Sequence, residues 1–176
     1  MGRIKIFLTN LGKYNEGCLM GEWVKLPVPE DKLEMVLKRI GINSEYEEFF
    51  ISDYESLFSN LHISEFSSIA ELNELAERID ELEDFDYDKL GAVLESESSM
   101  SIAEMLEIID ELDSFELLED VFDDSALGEY YADCGCIFAG VPDHIQRYFD
   151  FESYGRDIRL ELNCCITSYG VVIDNR

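Results

Sequence analysis

Glu71, Glu74, Glu77, Glu81 and Asp84 recur at intervals of three or four residues, the spacing that stacks side chains along one face of a helix. With a rise of about 1.5 Å per residue their carboxylates stand roughly 4.5 to 6 Å apart along the axis. One strand of duplex DNA offers a charge every ~3.4 Å. The chemistry open to such a row is electrostatic: it can fill a groove lined by Lys and Arg, as a nucleic acid does. An ordinary solvated helix face interleaves Lys and Arg four residues on, whereas this one tolerates self-repulsion.

Two other constellations invite chemistry. Asp84, Asp86 and Asp88, with Glu95 at the twelfth position, imitate an EF-hand calcium loop. Lys89 takes the place of the turn-forming Gly and Gly91 that of the usual apolar residue, so the match is poor. Cys134, Cys136, Cys164 and Cys165 are spaced too tightly for a zinc knuckle, and with Cys18 they read as free thiols of a reducing compartment. His62 and His144 have no nucleophile pattern nearby, and no glycine-rich phosphate loop occurs. Carboxylate pairs are too abundant to single out a catalytic one, so no catalytic residue, metal site or cofactor is expected, and the chain does not read as an enzyme.

The charge is concentrated. Of 40 acidic residues, 27 lie between Glu45 and Asp124, against two of the 13 basic ones, Arg78 and Lys89. The remaining 13 acids and 11 bases leave the rest of the 176-residue chain nearly neutral, although the whole carries a formal charge of -27. Those 27 carboxylates equal the charge on about 46 Å of duplex, at one charge per ~1.7 Å. With 47% hydrophobic residues the chain can still build a core, which argues against acidic disorder. No apolar run reaches membrane-span length, and Met1 to Leu11 lacks the apolar region and cleavage site of a signal peptide, so no membrane and a cytoplasmic location are expected.

The elements that must position these groups fall into three parts. Ile4 to Leu8 and Cys18 to Leu26 read as strands around a loop from Asn10 to Gly17, followed by a helix from Glu30 to Ile40 and a short strand at Phe49 to Ile51. A capping box at Ser68 and Glu71 opens a helix whose signature recurs: Ser101 to Glu104 repeats Ser68 to Glu71, and Ile109 to Leu112 repeats Ile79 to Leu82. Shorter helices fill Asp86 to Leu94 and Leu117 to Phe122. Pro142 to Tyr154 then reads as a helix, with Ile158 to Leu162 and Cys165 to Ile173 as a closing hairpin. The expected fold is α+β: an N-terminal sheet and helix domain over 1–61, an acidic helical domain over 62–105, and a C-terminal helix and hairpin domain over 106–176.

Several strings resemble the ArdA antirestriction proteins of plasmids and conjugative transposons: Asn10 to Gly17 followed by Trp23, Glu45 to Glu48 with Asp53 to Glu55, and Tyr154 to Asp157. The resemblance covers essentially the whole chain. It implies an elongated, three-domain homodimer that mimics bent B-form DNA, occupies the DNA-binding cleft of type I restriction-modification enzymes and protects an incoming mobile genetic element. It also implies a dimer contact within Leu106 to Arg176, and an acidic antirestriction motif whose counterpart is Leu117 to Ala126. The partner would be the methyltransferase and specificity core, and nucleic acid itself would not be bound.

On this reading the partner-binding carboxylates are Glu45, Glu47, Glu48, Asp53, Glu55, Glu71, Glu74, Glu77, Asp80, Glu81, Asp84, Asp86, Asp88, Glu104, Glu107, Asp110, Glu111, Glu116, Glu119, Asp120, Asp123 and Asp124. The competing expectations are a calcium-binding protein using Asp84 to Glu95, and an acidic chaperone that binds basic proteins indiscriminately.

Overall fold

The computed structural model describes residues 3–58, 60–97 and 99–176, which form two compact units, Met1–Glu83 with Ser99–Ile109 and Asp84–Ser98 with Asp110–Arg176. The fold class is α+β as expected, with a small antiparallel sheet near each end of the sequence. The helices of the acidic centre are shared between the units.

In the first unit β1 (Ile4–Asn10) runs between β2 (Gly21–Leu26) and β3 (Phe49–Ser56). Its register sets Ile4 against Leu26 and Ile6 against Val24 on one side, and Ile6 against Tyr54 on the other. Ile4, Ile6 and Leu8 alternate into the core and are fully buried, as a strand with one covered face requires. The expected loop after β1 is instead a one-turn helix, α1 (Leu11–Asn15), started by Asn10. The Asn10 side chain accepts from the Lys13 amide at 2.9 Å and donates to the Ile40 carbonyl at 3.1 Å, so one buried residue ties α1 to the end of α2 (Glu30–Arg39). Gly41 follows with φ of 84°, the left-handed conformation in which a glycine stops a helix.

α3 (Ile69–Glu81) packs on β2 and buries Leu72, Leu75, Ala76 and Ile79. Its Asn73 is a side-chain substitute for a strand neighbour: it accepts from the Val28 amide at 2.8 Å and donates to the Val28 carbonyl at 2.9 Å. α5 (Ile102–Asp110) buries Ile102, Met105, Ile108 and Ile109. A parallel bridge between Leu61 and Met100 holds the start of α5 to the segment leading into α3.

In the second unit β6 (Gly170–Asp174) lies between β4 (Phe115–Leu118) and β5 (Cys164–Thr167), and α4 (Asp84–Ser96) packs on this sheet. Glu95 at the end of α4 accepts from the Ser168 amide and hydroxyl, the latter at 2.6 Å, and so pins the β5–β6 turn. α6 (Asp124–Cys134) and α8 (Phe151–Glu161) pack tightly together, with the short α7 (Asp143–Gln146) between them in sequence. Leu118, Val121, Leu127, Ile158, Cys164, Val171 and Ile173 form one buried apolar cluster of this unit.

Several elements of this unit differ from those expected. Leu117 to Phe122 is not a helix, because Leu117 and Leu118 pair with Val172 and Val171 of β6 and the chain then turns. Ile158 to Leu162 is not a strand: Asp150 caps α8 by accepting from the Ser153 amide at 3.0 Å, and the helix runs on to Glu161. The helix expected over Pro142 to Tyr154 is broken into α7 and the first turn of α8. Both strands of the closing hairpin therefore fall within Cys164–Asp174. α6 was not anticipated at all.

Candidate functional site

The two repeated helices present the carboxylates by the same means. On α3 the buried residues occupy one side, and Glu71, Glu74, Glu77, Asp80 and Glu81 are exposed. On α5 Glu104, Glu107 and Asp110 are exposed opposite Met105 and Ile108. The apolar stripe that anchors each helix thus fixes which way its acids face. Glu71, Glu74, Glu77 and Glu81 have no ion-pair partner among the described residues, whereas Asp80 lies 3.9 Å from Arg3.

The repeats differ at their first turn. Ser101 and Glu104 form a complete capping box: Glu104 accepts from the Ser101 amide at 2.8 Å and from its hydroxyl at 2.7 Å, while the Glu104 amide donates to Ser101 Oγ at 3.3 Å. These bonds from Ser101, backbone first and then side chain, hold the Glu104 carboxyl below its ordinary range. At Ser68 only the amide bond from Glu71 is made, at 3.4 Å. The Glu71 carboxylate is left to solvent.

Around β3, Glu45, Glu47, Glu48, Asp53 and Glu55 are all exposed, and Glu55 pairs with Lys5 across the β1–β3 ladder. In the second unit Glu111, Glu116, Glu119, Asp120 and Asp123 are exposed, although Asp123 also caps α6 by accepting from the Ala126 amide at 2.8 Å and Glu111 lies 3.6 Å from Arg176. Asp84 is exposed at the start of α4. Asp86, Asp88 and Asp124 are half-buried. Asp86 lies 3.7 Å from the buried Lys89, and Asp124 takes a two-pronged bond from Arg159 at 2.7 and 3.1 Å, which holds its carboxyl below the usual range. Asp86 and Asp124 are therefore partly committed to folding, a division that residue type alone does not reveal.

The calcium-loop reading of Asp84 to Glu95 is overturned by α4. An EF-hand needs a twelve-residue loop to converge its oxygens, and this segment is continuous helix with Glu95 bound to Ser168. Among the described residues no group of three or more His, Cys, Asp or Glu is placed to hold a metal ion, and no helix is long and apolar enough to cross a membrane.

The string from Asn10 to Gly17 has a structural logic. Lys13 Nζ donates to Tyr46 Oη at 2.7 Å and to Glu16 at 2.9 Å, and the Tyr46 hydroxyl donates to Glu16 at 2.8 Å. Those bonds, Tyr46 foremost, push the Lys13 ammonium up and pull the Glu16 carboxyl down, with Lys13 its main partner. A Cβ at residue 12 would sit 2.4 Å from the Tyr46 ring, so only glycine leaves room for it. The acidic segment around Tyr46 is thereby anchored to α1.

No curated protein matches the chain. The family model described as Antirestriction protein (ArdA), a family of inhibitors rather than enzymes, matches residues 6–173. Because that segment begins inside β1, ends inside β6 and takes in every element between them, the chain belongs to the ArdA family of antirestriction proteins.

Proposed function

We propose that the protein blocks type I restriction-modification enzymes by presenting a mimic of B-form DNA to their methyltransferase and specificity core. Substrate DNA is excluded by competition in the cytoplasm, no bond is cut, no cofactor is required, and the protein does not itself bind nucleic acid. The observation that carries this reading is the exposed face of α3, where Glu71, Glu74, Glu77 and Glu81 line an ordered helix without an ion-pair partner among the described residues. A row of fixed carboxylates is preorganised for a cationic cleft, whereas a disordered acidic tail would lose entropy on binding.

Residues 1–61, 62–105 and 106–176 act in this reading as three segments of the mimic, with dimer contact in the last. Ile137, Ile145, Tyr148, Leu160 and Ile166 are exposed apolar side chains of the second unit, which supports a homodimer made there. Two copies would offer the charge of about 92 Å of duplex, and their two-fold symmetry suits an enzyme with two pseudo-equivalent recognition halves.

The test is displacement of labelled DNA from a type I restriction-modification enzyme at two salt concentrations. Displacement at near-stoichiometric protein, weaker in high salt and absent with an unrelated protein of equal acidity, is the expected result. Equal displacement by the unrelated protein would favour an acidic chaperone.

A further inference from the structure

Phe66 is 72% exposed, yet it is not on a loose segment. It sits at the corner of a turn that Ser64 and Ser67 close three times over: the Ser67 amide donates to the Ser64 carbonyl at 3.1 Å, the Ser64 amide donates to Ser67 Oγ at 3.0 Å, and the two hydroxyls meet at 3.0 Å. The neighbouring Glu65 carbonyl accepts from the Ile51 amide at 2.8 Å, which ties the turn to β3. An aromatic ring held out to water by a rigid turn costs hydration without contributing to the core. The turn nevertheless fixes the backbone that carries it, so only the two side-chain torsions remain to be ordered on binding.

The surroundings specify a partner. Phe66 shares an open cavity of about 620 Å³ with His62, Ser68, Glu71, Met100 and Glu104, and Glu65 is exposed beside it at the turn. The starts of α3 and α5 add roughly half a positive charge each, which the carboxylates of Glu65, Glu71 and Glu104 outweigh. An apolar ring amid net negative charge suits a planar cation better than an aliphatic group or an ammonium, because a guanidinium can stack on the ring face while its N–H groups reach carboxylates.

We infer that Phe66 is an anchor that stacks on an arginine of the partner's DNA-binding cleft, with Glu71 taking that guanidinium's N–H groups. This rests on the proposed mimicry and assigns it a contact that charge alone does not provide. It gives the surface a specific grip, where a uniform polyanion has none.

The experiment measures binding of wild-type protein, Phe66→Ala, Phe66→Leu, Phe66→Trp and Glu71→Gln to the methyltransferase core of a type I enzyme over a range of salt. Circular dichroism would verify that each variant folds, as the exposure of both positions leads one to expect. Phe66→Ala should weaken binding about tenfold at every salt concentration with the salt slope unchanged, Phe66→Leu should do the same, and Phe66→Trp should bind as wild type. Glu71→Gln should instead reduce the slope by about one. Phe66→Ala binding within twofold of wild type would overturn the inference while leaving the mimicry intact, and full binding by Phe66→Leu would overturn the stacking. Failure of the wild-type protein to bind would overturn both.

Discussion

Gly128 of α6 and Gly155 of α8 meet at a backbone contact: a Cβ at residue 155 would lie 1.7 Å from the Asp124 carbonyl oxygen and 2.7 Å from the Gly128 amide nitrogen, and one at residue 128 would lie 2.0 Å from the Phe151 carbonyl oxygen. In an isolated helix Gly→Ala is favourable by about 1 kcal/mol. Here the neighbour is backbone and cannot rotate away. Gly155→Ala is therefore expected to destabilise the second unit by about 3 kcal/mol, at the upper end of overpacking costs. Urea unfolding monitored by circular dichroism would check the sign, which helix propensity alone predicts the other way.

The same helix pair is closed by Arg159 on Asp124. Because the bond from Arg159 holds the Asp124 carboxyl below its ordinary value of 3.8, its contribution is fully present above that value and is lost as pH falls through the lower value of the folded state. Asp124→Asn should cost about 1 kcal/mol at neutral pH, discounted for partial exposure. Its stability should fall less steeply below pH ~4 than that of wild type. Melting temperatures of both proteins between pH 3 and 7 would show this, and parallel curves would contradict it.

The apolar periodicity of α3 and α5 was legible because each helix buries a single stripe, so both strong helices and the acidic faces opposite them follow from spacing alone. α4 was legible as the helix over Asp86 to Leu94 even though Gly91 lies in it, but α6 was not: it buries Gly128 against the Phe151 backbone, and a glycine set by tertiary contact looks like a breaker in a sequence. Leu117 and Leu118 read as helix since the partner that makes them a strand, Val171 and Val172, lies far along the chain. At the candidate site the residue types were readable but their commitments were not. Asp124, Glu104 and Asp123 belong to the acidic set, yet each is hydrogen-bonded in the fold.

That distinction separates the two repeats by experiment. Glu104 completes a capping box and Glu71 does not, so Glu104→Ala should lower stability by about 1 kcal/mol while Glu71→Ala should change it by a few tenths at most. Hydrogen exchange should show faster opening of the first turn of α5 in the former variant and no change in α3 in the latter. Equal losses in the two variants would mean that the repeats are capped alike.

The acidic face of α3 sets stability against function. Glu71, Glu74, Glu77 and Glu81 stand three or four residues apart, where like charges destabilise a helix by a few tenths of a kcal/mol per pair. Replacing all four by Gln leaves the buried stripe of Leu72, Leu75, Ala76 and Ile79 untouched. The quadruple variant should therefore melt at or slightly above the wild-type temperature. If these carboxylates meet the cationic cleft, the same variant should inhibit a type I enzyme more weakly, with a salt slope shallower by up to about four, near one per lost contact. A single Glu→Gln change should weaken inhibition only a few-fold, since exposed pairs are each worth about 1 kcal/mol or less. A folded quadruple variant with an unchanged inhibition curve and salt slope would remove α3 from the binding surface and leave the remaining exposed acids around β3, on α5 and in the second unit to account for it.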